Sequence, residues 1–279
     1  CDGWGSAGGP WITPELSMQK VVWAETPVRG GERFSGAVAR GPWIPSPRVR
    51  VEELPAGTRD YYRDTAVLAY PVPSGWGETN RSRNARVTTS FPIKDVAPLL
   101  FRETRAPVID TVQPGYIQFS FDAPFTLRSV RVDSSRPLPP GVVPGAGGGL
   151  GGTNGFNREA HSMKVEASDD GVSWRRVGAL DPMKGGWQTP ISVLHHALPE
   201  TSAQHFRLSY SPGPILPYDD NDRLGTQGAD NNRLRLSNVE LSSTAVVHHV
   251  EGKNASMWGL SRRMEAVDAP AHASVPLDA

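Results

Sequence analysis

Residues 1–15, CDGWGSAGGPWITPE, set two indoles among glycines. Trp4 and Trp11 each offer a large rigid ring with one N–H donor, suited to stacking on the apolar face of a ligand and donating to one of its oxygens. They are equally suited to packing beneath a loop as core. Gly8 and Gly9 let backbone amides approach a ligand closely and also let the chain turn tightly. With Ser6 they form a set of donors for ligand oxygens. Glu15 can accept bonds from hydroxyls or favour the positive end of a helix.

Further groups along the chain have the right types for chemistry. Glu25 and Asp64 lie in strand-like segments, where structural ion pairing is the expected role. Asp219-Asp220-Asn221-Asp222 offers hard oxygen donors of the kind calcium takes. Its spacing lacks the alternating ligands, glycine and distal Glu of an EF-hand, and a solvated loop is expected. His195-His196 and His248-His249 are adjacent pairs. Neighbouring residues in a strand face opposite sides, so ordinary strand or surface histidines are expected and no metal ligand is assigned. GAGGGLGG, residues 145–152, lacks the strand–loop–helix setting and Lys-Ser/Thr of a phosphate-binding loop, and reads as a connector. One cysteine, Cys1, leaves no partner for a disulfide within these residues and excludes a cysteine-rich zinc site.

These groups need elements to position them. Thr13-Pro14-Glu15 has the chemistry of a helix start, and a short helix over 14–19 is expected. KVVWAETPV (20–28), ERFSGAV (32–38) and PRVRVEEL (47–54) read as strands, and Ala66–Tyr70 as a buried one. From about Val108 alternation is clear. Ile117, Phe119 and Phe121 share one face, and Val130 and Val132 continue the pattern. Met163, Val165 and Ala167 alternate with polar residues. Asp169-Asp170-Gly171 then turns a hairpin into Val172–Leu180. Phe206, Leu208 and Tyr210 share a face, and RLRLSNVEL (233–241) supplies a further strand. Strands at this spacing without intervening helices point to an antiparallel sandwich. Two long loops, 137–155 and 211–232, lie between them, and a short helix is expected within 255–267.

Gly 29 and Pro 26 make up nearly a fifth of the 279 residues, which favours a turn-rich, strand-rich architecture. Lys+Arg 29 balances Asp+Glu 29, arguing against a nucleic-acid binder. No apolar run approaches the ~20 residues of a membrane helix, so no membrane partner is expected. The absence of Met at the start and the abrupt end VPLDA lead to the expectation of a partial chain.

The opening stretch resembles glycoside hydrolase family 106, the α-L-rhamnosidases. The resemblance rests on Gly3-Trp4, Ser6, Gly8-Gly9-Pro10-Trp11, Thr13-Pro14-Glu15, Met18-Gln19, Trp23 and Glu25-Thr26. Tyr62–Pro71, YRDTAVLAYP, matches a second segment in the same order. VEASDDGVSW (165–174) and RLSNVEL (235–241) look like the galactose-binding-like sandwich found within such enzymes, though many carbohydrate-binding sandwiches share the hairpin. The fold implied is mainly β: a galactose-binding-like antiparallel β-sandwich attached to an incomplete piece of a (β/α)8-type catalytic barrel. Residues 1–105 would belong to the catalytic region, 106–245 to the sandwich, and 246–279 to a segment returning towards the barrel.

The activity implied is removal of terminal α-L-rhamnose from polysaccharides or glycosides, with inversion, by two carboxylates. Those carboxylates are expected outside these residues, leaving this chain inactive alone. Trp4, Ser6, Gly8, Gly9, Trp11 and Glu15 would bind substrate, a rhamnose-containing oligosaccharide or glycoside. Calcium is implied at the sugar site, without ligands that can be assigned here. A secreted or periplasmic parent is favoured. The alternative is a non-catalytic carbohydrate-binding β-sandwich protein.

Overall fold

The computed structural model describes residues 21–41, 63–100, 108–133, 163–180, 193–212 and 234–250, with the backbone of 275–276. In chain order the strands are β1 (Leu68–Ala69), β2 (Arg86–Thr89), β3 (Ile109–Thr111), β4 (Gly115–Asp133) and β5 (Met163–Ser168). They continue with β6 (Arg175–Leu180), β7 (Val193–Tyr210), β8 (Leu234–Leu236), β9 (Asn238–Ser242) and β10 (Val275–Pro276). A 3-10 turn, Ala97–Leu100, precedes β3. All strand pairings are antiparallel. Among the described residues no helix is long and apolar enough to cross a membrane.

The principal sheet has six strands in the order β2-β4-β7-β5-β6, with β9 also pairing β4. The expected alternation is realised in it. Ile117 and Phe119 on β4, Val165 and Ala167 on β5, and Phe206 and Leu208 on β7 are all fully buried. Ile109 on β3 and Leu234 and Leu236 on β8 belong to the same core, so the short β3–β8 sheet forms its second layer. Phe121 stacks on Phe125 with centroids 4.4 Å apart, and Phe206 meets both rings edge-on.

Two long strands give the sheet its shape. GYIQFSFDAPF and SVRV are parts of one strand, β4, of 19 residues. Its register against β7 shifts between Ser120 and Phe125 and again between Leu127 and Ser129. Such irregularities bend a strand and change which residues face inward. Arg128, Ser129 and Val130 are consecutively buried there. RLRLSNVEL divides at Ser237, with β8 joining β3 and β9 joining β4.

The hairpin forms as expected, with its second strand starting at Arg175 rather than Val172. The intervening residues serve the turn. Asp170 Oδ1 accepts bonds from the amides of Val172 (2.8 Å) and Ser173 (2.7 Å) and from Ser168 Oγ (2.9 Å). Gly171 has φ 74°, the left-handed region open to glycine.

Earlier segments depart from expectation. Residues 20–28 and 32–38 form no strand where described, and Val21, Trp23, Val28, Phe34 and Val38 are exposed. Ala66–Tyr70 is not a buried strand: only Leu68–Ala69 pairs, with β10, and Leu68 is 54% exposed. β-branched and aromatic content expresses itself as strand only where a neighbour completes the hydrogen bonds and a face is covered. Among the described residues these segments have little of either. The expected helices within 14–19 and 255–267, the strand at 47–54 and both long loops lie outside the described residues, apart from Ser211 and Pro212.

Candidate functional sites

Trp4, Ser6, Gly8, Gly9, Trp11 and Glu15 all lie outside the described residues, as does Asp219–Asp222. Glu25 is described: its carboxylate accepts a bond from the Tyr70 hydroxyl at 3.0 Å, and among the described residues it forms no ion pair. Burial and then that hydrogen bond push the Tyr70 hydroxyl above its ordinary value. Tyr70 also meets Trp76 edge-on at 6.0 Å. Asp64 is exposed.

The outer face of the six-stranded sheet brings polar residues into ordered rows. Cross-strand register sets Gln118, Arg207 and Glu166 side by side across β4, β7 and β5. Tyr116, Ser209 and Lys164 form the next row, and Ser120, His205 and Ser168 a third. The Arg207 guanidinium is held between two rings, 4.1 Å from the Tyr116 centroid and 3.9 Å from that of Trp174. Its NH2 group donates to Gln118 Oε1 at 2.8 Å, while Nε is buried without a hydrogen-bond partner among the described residues. Glu166 accepts from Ser209 Oγ at 2.5 Å, and His205 Nδ1 lies 3.0 Å from Ser120 Oγ. Rings, a guanidinium fork, an amide and a carboxylate on one rigid sheet are the groups that hold hydroxyl-rich ligands. The signal was present in the sequence: Tyr116, Gln118, Glu166 and Arg207 occupy the positions alternating with the apolar ones.

A second grouping is buried. His196, His248 and His249 come together, correcting the expectation of ordinary surface or strand histidines. His249 Nε2 lies 3.3 Å from His196 Nδ1. The His248 and His249 rings stack at 3.9 Å, with 26° between their planes. The alternation rule fails at this pair because His249 is not in a strand. Its φ of 50° is left-handed, which turns its side chain to the same side as that of His248. The Val247–Val250 turn docks on the edge of β7. The His249 amide donates to the His195 carbonyl at 2.8 Å, and the Ala197 amide donates to His248 Nδ1 at 3.2 Å. Calcium does not fit this grouping: it takes oxygen ligands, whereas three imidazoles suit borderline transition metals.

With this geometry in place, similarity to known proteins can be stated. Residues 1–277 match the glycosyl hydrolase 106 family model, described as alpha-L-rhamnosidase. A Formosa agariphila protein named "Putative beta-glucuronidase" is 39% identical over 71 residues, 25% of this chain and 5% of that protein. The rhamnosidase structure from Novosphingobium sp. PP1Y superposes with a TM-score of 0.50 at 23% identity, over 90% of this chain and 19% of that one. A Clostridium perfringens module, CpGH89CBM32-5 in complex with GalNAc-beta-1,3-galactose, gives a TM-score of 0.36 at 10% identity, over 57% of this chain and 95% of that one. The chain therefore spans a small part of the two longer relatives.

Proposed function

The chain belongs to the α-L-rhamnosidase family, glycoside hydrolase family 106, and on that premise we propose that it contributes one wall of a sugar pocket and a galactose-binding-like sandwich to a larger rhamnosidase. The observation carrying this reading is the family match across residues 1–277. In this proposal the opening stretch is a loop at the end of a strand of a (β/α)8-type barrel, the position where such barrels build their active sites. Trp4 and Trp11 supply ring surface for the sugar. Ser6 and the amides of Gly8 and Gly9 donate to its oxygens, and Glu15 accepts from its hydroxyls.

Hydrolysis is by inversion. One carboxylic acid protonates the glycosidic oxygen as its bond to the anomeric carbon breaks. A second carboxylate, about 6.5–9.5 Å from the first, takes a proton from the water attacking the opposite face. Both carboxylates are assigned outside this chain, which spans 19% of the Novosphingobium enzyme. Calcium, implied by the family, is given no ligand among the described residues, and the binding roles above belong to protein groups alone.

The test compares the purified chain with the product of its full reading frame on an aryl α-L-rhamnoside. The chain alone is expected to release no aglycone. The full product is expected to release it, with β-L-rhamnose as the first anomer seen by NMR. Turnover by the chain alone would overturn the placement of the carboxylates, and a first-formed α anomer would overturn inversion. Faster cleavage of an aryl β-glucuronide would overturn the substrate. An inactive full product that binds sugars saturably in calorimetry would favour a carbohydrate-binding role for the sandwich instead.

A further inference from the structure

Three imidazoles from two distant parts of the chain share one buried volume. His196 is 2% exposed, His248 8% and His249 3%. One nitrogen from each ring lies within 4.8 Å of the other two. The ring of His196 stands at 77° to that of His249, with centroids 4.9 Å apart, and at 69° to that of His248, 5.8 Å away. His196 thus stands edge-on to the stacked pair His248–His249, whose centroids are 3.9 Å apart, and each of the three rings brings a nitrogen into one small volume.

The spacing has a chemical meaning. Two nitrogens bound to zinc at ~2.0–2.1 Å with tetrahedral angles sit about 3.3 Å apart. His249 Nε2 and His196 Nδ1 are 3.3 Å apart. His249 reaches this place through an unfavourable backbone choice, a positive φ that few non-glycine residues adopt. His248 Nδ1 accepts a bond from the Ala197 amide at 3.2 Å, a long contact that ligation would exchange.

We propose that His196, His248 and His249 form a binding site for a divalent transition-metal ion of the zinc class. Neutral imidazoles provide three ligands, and a water or a fourth donor completes the coordination. The ion joins β7 to the Val247–Val250 turn. This role is independent of the hydrolytic reading above, because it requires neither substrate nor catalytic carboxylates.

The test uses the full 279-residue chain without a polyhistidine tag, stripped with chelator and titrated with Co²⁺. One equivalent is expected to produce the visible absorption of a four-coordinate nitrogen site, and Zn²⁺ is expected to displace it and raise Tm. His249→Asn keeps a residue that tolerates the left-handed backbone, and His196→Gln keeps a polar side chain of similar reach. Each is expected to weaken Co²⁺ binding by about tenfold or more, whereas His195→Gln leaves it unchanged. Absence of the absorption, or an unchanged titration in both ligand variants, would overturn the site. Should circular dichroism show the variants unfolded, histidine carbethoxylation of the wild type read by mass spectrometry decides. Zn²⁺ is expected to slow modification of His196, His248 and His249 but not of His205, and equal rates with and without the ion would overturn the proposal.

Discussion

Asp170 shows how one side chain can organise a turn from the surface. Its carboxylate collects the Ser173 and Val172 amides and the Ser168 hydroxyl, and these bonds hold it well below the usual carboxylate range. An acid with a depressed folded-state pKa contributes stability that is fully present above its unfolded value of about 3.9 and is lost as pH falls through the folded value. Asn in its place retains an acceptor oxygen but carries no charge to titrate. The Tm of the wild type is therefore expected to exceed that of Asp170→Asn by most above pH 5, and the gap to shrink steadily below pH 4. Thermal melts of both proteins between pH 2 and 7 measure this, and a gap that stays constant would count against it. Arg207 differs in kind: it is held by its two ring contacts, each worth about 0.5–1 kcal/mol.

At the scale of elements, β4 shows where strand geometry leaves no room for choice. Gly115 opens it beneath the ring of Phe91. A Cβ there would lie 2.4 Å from Phe91 Cε1, 2.7 Å from Cδ1 and 2.9 Å from Ser90 Oγ. Phe91 is itself buried in the core and cannot swing clear at no cost. Overpacking of this kind typically costs about 1–3 kcal/mol. Gly115→Ala is expected to lower the urea midpoint accordingly with an unchanged m-value, and an unaltered midpoint would show that the ring yields freely. This constraint was not legible in the sequence, because it depends on a residue 24 positions away. The alternation of Ile117, Phe119 and Phe121 was legible, as were those of β5 and β7, because each of those strands has one buried face. The union of GYIQF with SVRV was hidden by the irregularities between them, which interrupt the period of two. The histidine grouping was hidden for a related reason: alternation assumes extended backbone, and His249 is left-handed. The aliphatic and aromatic residues of 21–38 carried the composition of strands but, among the described residues, lack the neighbours that strands need.

Over the whole molecule, the sheet reaches back beyond residue 106 to segments assigned by sequence to the preceding region. β2 pairs β4 from Arg86↔Ser120 to Thr89↔Ile117. Ahead of it, Asn80 clamps β9: its amide donates to the Leu241 carbonyl at 3.0 Å, and its Oδ1 accepts from the Leu241 amide at 2.9 Å. Ser243 completes the tie, accepting from the Glu78 amide at 2.8 Å and donating to the Gly75 carbonyl at 2.6 Å. Arg128, buried beneath, donates to the Ser243 carbonyl at 2.9 Å and to Glu200 at 3.0 Å. Removing residues before 106 would strip β2 from the sheet, uncover the Ile117–Phe119 end of β4 and leave Leu241 without its partner; unsatisfied buried backbone groups each cost about 1–3 kcal/mol. A protein of residues 73–250 is therefore expected to melt cooperatively, while one of residues 106–245 is expected to melt far lower or to lack a cooperative transition. Circular dichroism melts of the two decide the matter: equal midpoints would place β2 and Asn80 outside the folding unit, whatever their hydrogen bonds.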